Sequence, residues 1–426
     1  MSGPATARSA AIEALKRVLD SRQTLDEALE LANRGLETRD KAFCRAIVLS
    51  ALRHKGSIEF LISKYLSRPL PKSGRRAQLA LLSGAAQLLF VGSPAHAVVN
   101  EQVNLIPANS KFRGVVNAVL RRIDRDGARD IADPKVMQRD LPAWLWHRWK
   151  AAYGAETTMD IIRALSRDDV PLDLSVKSDA EGWAEKLTGE VLPTGSVRLG
   201  AAGSVSELEG YADGVWWVQD TAASLPVKLF GDLAGKTLLD ACSAPGGKTA
   251  QAIAAGARVT ALDRSAKRLK VLAANMTRLN LSCRTVVCDL LDHRPEAPYD
   301  AVLLDAPCTA TGTLRRHPDI GWNRTEEDVA TLASLQSQLL DHAATLVRPG
   351  GRLVYCTCSL EPEEGEKQID RFLTENRNFH RAPVRAAEVG LRDESVTRDG
   401  DLRTLPHHMA EKGGMDGFFA ARLIRK

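Results

Sequence analysis

The sequence predicts a protein of three parts: an all-α domain over residues 1–139, a small α+β section over 140–230, and a doubly wound α/β domain over 231–426. Three observations predict it. Apolar residues recur at helical spacing through residues 8–130. From residue 231 onward, strand and helix signals alternate, the pattern of a mainly parallel sheet with helices on both faces. The charge is also divided. Residues 1–140 hold 23 Lys and Arg against 14 Asp and Glu, and the remainder holds 35 against 39. A basic module joined to a near-neutral one suggests a polyanion-binding part attached to a catalytic part.

In the first part, Ile12, Leu15, Val18 and Leu19 share one helical face. Asp40 can cap a helix running through Phe43, Ile47 and Leu52. The stretch Arg76–Phe90 is apolar nearly all round and predicts a central buried helix. Val115–Ile123 closes a domain of five to seven helices, and the polar run after it breaks the pattern. In the middle part, Pro142 starts a helix carrying Trp144, Trp146 and Trp149, and Leu172–Val176 alternates as a short strand does.

The third part predicts strands at Thr237–Cys242, Arg258–Asp263, Arg284–Asp289, Asp300–Ala306, Gly351–Thr357 and Gly417–Ile424. Helices are expected at Lys248–Ala255, Ala266–Leu279 and Ala330–Leu346. Pro362–Gly365 and Arg392–Arg403 read as surface loops.

Composition excludes several classes. No apolar run of 18 residues predicts a membrane span, and the N-terminus lacks an apolar signal core. Six of the seven cysteines fall between Cys242 and Cys358, which fits reduced thiols in a cytoplasmic enzyme rather than a secreted disulfide framework. No Cys-x-x-Cys is present and no metal is expected.

Leu238-Leu-Asp-Ala-Cys-Ser-Ala-Pro-Gly-Gly-Lys-Thr249 reads as a strand, a small-residue loop and a helix start. It is not a P-loop, because Cys242 stands where that motif requires its first glycine. Asp263 ends the second strand, where a ribose diol is gripped in such folds, and Asp289 ends the third, where an adenine amino group can be received.

Two cysteines complete the pattern: Cys308 in Leu303-Leu-Asp-Ala-Pro-Cys-Thr-Ala-Thr-Gly312, and Cys358 in Leu353-Val-Tyr-Cys-Thr-Cys-Ser-Leu360. Together with the glycine loop, these segments resemble the S-adenosylmethionine-dependent RNA 5-methylcytosine methyltransferases. Arg315-Arg-His-Pro-Asp-Ile-Gly-Trp322 and Asp416-Gly-Phe-Phe-Ala-Ala-Arg-Leu423 are similar to that family's substrate-side loop and closing strand. Pro94-Ala-His-Ala and Asn117-Ala-Val-Leu-Arg-Arg, within the helical N-terminus, resemble a NusB-like RNA-binding domain. The resemblance covers nearly the whole chain and is strongest over residues 236–360.

It implies a Rossmann-like class I methyltransferase domain, S-adenosylmethionine as cofactor, and 16S ribosomal RNA as substrate at the cytosine numbered 967 in the reference rRNA. A monomer is expected. The donor site would map onto Cys242, Ser243, Ala244, Pro245, Gly246, Gly247, Lys248, Asp263, Arg268, Asp289 and Asp305. Cys358 would be the nucleophile and Cys308 the thiol associated with product release. Thr309 stands where Ser is common in the family and keeps the hydroxyl.

The chemistry agrees. Carbon 5 of cytosine is a poor nucleophile. A thiolate adding at carbon 6 makes an enamine whose carbon 5 can attack a methyl sulfonium, so covalent catalysis divides one hard step into easier ones. Asp305 is placed to support ring nitrogen 3. Lys248 is expected to position either Asp305 or a substrate phosphate, and Arg315, Arg316 and His317 are candidates for holding RNA phosphates. Cys356, on one strand face with Cys358, is an extra thiol of no assigned role. Transfer RNA as substrate, or a non-catalytic NusB-like RNA-binding factor, are the alternatives.

Overall fold

The computed structural model describes residues 6–200 and 203–426. The chain forms two compact units. One holds residues up to Asp168 together with Leu314–Thr325, and the other holds Asp169–Thr313 and Glu326–Lys426.

The first unit is helical: α1 (Ala7–Ser21), α2 (Leu25–Ala32), α3 (Thr38–Arg53), α4 (Lys55–Tyr65), α5 (Arg75–Leu89), α6 (Ala95–Asn104), α7 (Phe112–Asp130), α8 (Pro134–Met137), α9 (Ala143–Tyr153) and α10 (Ala155–Leu165). The apolar-all-round segment is central as expected: every residue from Leu79 to Gln87 of α5 is buried. Ile12, Leu15 and Val18 of α1 pack into the same core. Asp40 is not a cap. The helix begins two residues earlier at Thr38, and Asp40 lies in its first turn, where a carboxylate still favours the helix dipole. Pro142 precedes α9 as read, and Trp149 is fully buried.

The middle section of the sequence is divided between the units. Its helices α9 and α10 belong to the helical unit, whereas its strands belong to the second unit. Those strands are β1 (Leu172–Val176), β2 (Glu190–Val191), β3 (Val197–Leu199) and β4 (Trp216–Val218), with α11 (Ala180–Lys186) between β1 and β2. They form an antiparallel sheet in the order β2-β3-β1-β4.

The rest of the second unit alternates as predicted: α12 (Thr221–Lys228), β5 (Thr237–Ala241), α13 (Gly247–Ala254), β6 (Arg258–Asp263), α14 (Ala266–Arg278), β7 (Arg284–Val287) and β8 (Tyr299–Asp305). Next in chain order comes the short α15 (Asp319–Asn323), which belongs to the helical unit. The second unit resumes with α16 (Glu326–Thr345), β9 (Val347–Thr357), α17 (Glu366–Glu375), β10 (Phe379–Arg381), β11 (Leu402–Thr404) and β12 (Phe418–Arg425). The large sheet runs β10-β12-β9-β8-β5-β6-β7, with β11 also paired to β12. Strands β5 to β9 are parallel, and β10, β11 and β12 add antiparallel pairing.

Period-2 alternation buries both sheet faces. Val302 and Leu304 of β8 join Leu353 and Tyr355 of β9 against α16 and α17. Ala301 and Leu303 join Val354 and Cys356 on the other face, against α12 and α13. Two expected surface loops are instead built into the fold. Glu364, at the end of a 3-10 turn, is fully buried, and Leu402–Thr404 is a buried strand. Charge and proline suggested solvent there, but tertiary partners capture both segments.

Candidate active site

The carboxyl ends of the parallel strands surround a cavity of about 250 Å³. It lies where the strand order turns, with β6 on one edge of β5 and β8 on the other. Open α/β sheets bind ligands at such a switch point. Cys242, Asp263, Arg268, Asp289, Asp305, Cys308 and Cys358 all line it.

Strand register brings the thiols together. Asp305, the last residue of β8, stands opposite Cys356 of β9. The chain leaves both strands in step: the Ala306 N–H donates to the Cys356 carbonyl at 2.9 Å, and the Gly312 N–H to the Cys358 carbonyl at 3.0 Å. The Cys308 and Cys358 Sγ atoms consequently lie 3.5 Å apart. Gly312 is required by this approach, since a Cβ there would lie 2.0 Å from the Gly417 carbonyl oxygen.

The environments of the thiols differ. The hydrogen bond with Cys358, then burial, then the charges of Cys358, Glu364 and Asp305 push Cys308 well above the ordinary thiol range. It therefore remains a thiol at neutral pH. Cys356 is buried, with Sγ 3.5 Å from Asp305 Oδ1, and burial followed by the Asp305 charge pushes it up as well. Burial and the carboxylates of Asp305, Asp263 and Asp240 push Cys242 up to about 12.

Lys248 donates to Asp305 Oδ2 at 2.9 Å. Burial pulls its ammonium down, but the neighbouring Asp305 carboxylate overrides this and holds Lys248 above the ordinary lysine range. Of the two roles open to Lys248 from sequence, the geometry supports contact with Asp305.

Ser243, Pro245, Gly246 and Gly247 form the turn into α13 rather than the cavity wall, which Cys242 and Ala244 provide. Gly246 has φ 105°, and a Cβ there would meet Leu272 at 2.9 Å, so only glycine suits the turn. Asp263 accepts from the Ser265 N–H at 2.9 Å and the Ala244 N–H at 3.3 Å, and pairs with Arg268 at 3.1 Å. A carboxylate offers about four lone-pair sites, leaving room for a ligand hydroxyl. Asp289, two residues beyond β7, is exposed and accepts from the Leu291 N–H at 3.0 Å. Leu262, Leu290, Leu335 and Leu339 supply apolar wall beside these acceptors. The set suits a ligand carrying hydroxyl and amino donors on an apolar ring system.

Beneath the loop, Asp240 is 1% exposed and accepts from Thr249 Oγ1 at 2.5 Å. Its Oδ1 has no hydrogen-bond partner among the described residues. Burial raises this carboxyl from 3.8 to about 7. Between those values the folded protein holds a proton that the unfolded chain has lost. The resulting stability is complete below the unfolded value and is lost as pH rises toward 7, at about 1.4 kcal/mol per pH unit. Asp240→Asn is expected to remove that slope in denaturation measured across this window. An unchanged slope would show that Asp240 is not its source.

Sequence reasoning missed Glu364. Its carboxylate accepts from the Thr309 N–H at 2.9 Å, Ser359 Oγ at 2.5 Å and Gln336 Nε2 at 2.9 Å, and from Thr309 Oγ1. Burial pushes its pKa up, and the bonds from Ser359, Thr309 and Gln336 oppose the shift without cancelling it. The only sequence signal was an acidic run, Glu361 to Glu366, of the kind that normally faces water.

The basic segment departs from expectation. Arg315 is 1% exposed in the helical unit and does not present its guanidinium to a phosphate at the surface. Leu314–Thr325 is tied down there: Asp319 accepts from the Leu25 N–H at 3.0 Å, and the Trp322 indole donates to the Leu52 carbonyl at 2.8 Å. Arg316 and His317 are half-buried. The same unit carries an open groove of about 770 Å³ that the sequence did not reveal, lined by Phe60, Trp146 and Trp322 with Lys135, Arg139 and His147.

A family model described as 16S rRNA methyltransferase RsmB/F matches residues 231–424, and a NusB family model matches residues 5–125. The chain is 34% identical to ribosomal RNA small subunit methyltransferase B of Cronobacter sakazakii, with 98% of each chain covered. The chain belongs to the ribosomal RNA small subunit methyltransferase B family. A second family member, from Pseudomonas putida, is also 34% identical, again over 98% of each chain. Among solved structures, PH0851 superposes with a TM-score of 0.74 at 23% identity, covering 99% of both chains. A methyltransferase homolog protein from Pyrococcus horikoshii gives 0.54 at 24% identity, covering 66% of this chain and 94% of its own. These structural matches support the fold: a NusB-type helical part and a Rossmann-like methyltransferase part, as the sequence predicts for this family.

Proposed function

We propose that this chain methylates carbon 5 of one cytosine in 16S ribosomal RNA, at the position equivalent to 967, using S-adenosylmethionine in the cytoplasm. The observation that carries the reading is the pair of thiols 3.5 Å apart on the wall of a cavity that also holds Asp263, Asp289 and Asp305. Asp263 would grip the donor's ribose hydroxyls, Asp289 its amino group, and Arg268 with the Cys242–Lys248 loop would complete its seat. The bound donor supplies an electrophilic methyl group.

Cys358, as thiolate, adds to carbon 6 of the cytosine, and the electron pair of the ring double bond becomes available at carbon 5. Asp305, fixed by Lys248, stands beside the thiols to support ring nitrogen 3. After carbon 5 is methylated, a base removes its proton. The carbon 6–sulfur bond then breaks, its electrons return to Cys358, and the ring double bond reforms. Cys308, with its Sγ 3.5 Å from that of Cys358, assists this release. Unpaired cytosines reach such a cavity at lower cost than paired ones. The aromatic and basic groove is the surface we assign to the RNA, with Lys135 and Arg139 toward phosphates and the aromatic rings toward bases.

Incubation with labelled S-adenosylmethionine and unmodified 16S rRNA, followed by bisulfite sequencing, is expected to give one protected cytosine. Label without a protected cytosine would overturn carbon 5 as the target, and label confined to transfer RNA would overturn the substrate. Lys135→Glu with Arg139→Glu is expected to weaken RNA binding at least about tenfold and flatten its salt dependence. Unchanged affinity would remove the groove from the RNA path.

A further inference from the structure

We infer that Glu364 is a positioning residue: its one carboxylate joins the loop bearing Cys308 to the loop bearing Cys358 and sets the approach of the two thiols. The inference rests on the reading above for its catalytic meaning, but its geometry stands independently. Thr309 and Ser359 directly follow the two cysteines in sequence. Oε1 of Glu364 accepts from the Thr309 N–H at 2.9 Å and from Gln336 Nε2 of α16 at 2.9 Å. Oε2 accepts from Ser359 Oγ at 2.5 Å and from Thr309 Oγ1. The residue is fully buried, and its backbone carbonyl accepts from the Tyr355 hydroxyl at 2.8 Å and Thr357 Oγ1 at 3.2 Å on β9. Both ends of the residue are therefore fixed, one to the strand that leads to Cys358 and the other to the loop that carries Cys308.

After the bond to Cys358 and burial, the charge of this carboxylate adds to the opposition against ionisation of Cys308.

Glutamine is nearly isosteric here. Its oxygen can retain the Thr309 amide and Gln336, while its amide nitrogen donates to the two hydroxyls, so Glu364→Gln keeps the link and removes the charge. Glu364→Ala removes both and leaves the Thr309 N–H without its carboxylate. The approach of the thiols can be read without RNA or methyl donor. Diamide takes up the two hydrogens and two electrons of a thiol pair, forming one disulfide and the reduced hydrazine.

The experiment follows Cys308–Cys358 disulfide formation in the full chain by peptide mapping, alongside kcat, donor affinity and the pH profile of Cys308 alkylation. Glu364→Ala is expected to slow disulfide formation at least about tenfold and kcat about 100-fold, the usual scale for misplacing reacting groups by 1 Å, with donor affinity unchanged. Glu364→Gln is expected to oxidise within about threefold of wild type and to move Cys308 alkylation to lower pH. Where the alanine variant does not fold, Glu364→Asp, which keeps the charge but draws it back by one methylene, is expected to show the same slowing. Wild-type oxidation in the alanine or aspartate variant overturns the inference. Slowed oxidation in a protein that transfers no methyl group would overturn the proposed reaction while leaving the positioning role intact.

Discussion

Replacing Cys308 by alanine is expected to leave a stable protein–RNA adduct on a denaturing gel, whereas replacing Cys358 is expected to abolish adduct and turnover together. The two thiols touch at 3.5 Å, so geometry alone does not distinguish their roles. The proposed reaction does: it gives attack to Cys358 and release to Cys308, whose bond to Cys358, burial and nearby carboxylates hold it above the ordinary thiol range. With Cys308 gone, attack and methyl transfer remain available but release loses the thiol that assists it. Turnover of Cys358→Ala is expected to fall on the order of 10⁴-fold or more, the scale seen when a covalent nucleophile is removed. Adduct in Cys358→Ala, and none in Cys308→Ala, would reverse the assignment.

The largest stability loss is expected at Asp173. It is fully buried on β1, opposite Arg198 on β3, and receives the guanidinium through two bonds of 2.6 and 2.7 Å. The Thr221 N–H adds a third bond at 2.9 Å, where α12 begins. Arg198, also buried, donates onward to the carbonyls of Lys412 and Gly414 at 2.8 Å. Asp173→Ala leaves a buried guanidinium without its counter-ion, which costs about 3–5 kcal/mol. Denaturant unfolding of the full chain, followed by a probe in this unit, measures it. A loss below about 1 kcal/mol would mean that the pair contributes little. Replacing both partners by apolar residues is expected to recover much of the loss, because no charge is then stranded.

The alternation of small-residue loops and apolar strands made the methyltransferase-type sheet legible, since strands buried on both faces read as apolar runs in any context. Asp263 and Asp305 were legible for the same reason: each ends a strand whose limit is written in its hydrophobicity. Glu364 was not. Its partners Thr309 and Gln336 lie 55 and 28 residues away, and no local pattern distinguishes a captured glutamate from a solvated one. Arg315 failed in the same way, as a charged residue in a charged run that tertiary packing draws inside. The boundary near residue 140 was read from composition. The strands after residue 170 pair among themselves while α9 and α10 join the helical core, a partition that depends on packing rather than on local sequence.

The placement of Leu314–Thr325 has a further consequence. The backbone crosses between the two units three times, after Asp168, Thr313 and Thr325. The methyltransferase portion thus carries, inside its own sequence, a piece of the other unit's core. A protein made from residues 169–426 would present Trp322 and Leu314 to water with nothing to receive them, and a protein ending at 168 would lack the carboxylate that Asp319 offers to the start of α2. The two units are therefore not separable by one cut in the sequence.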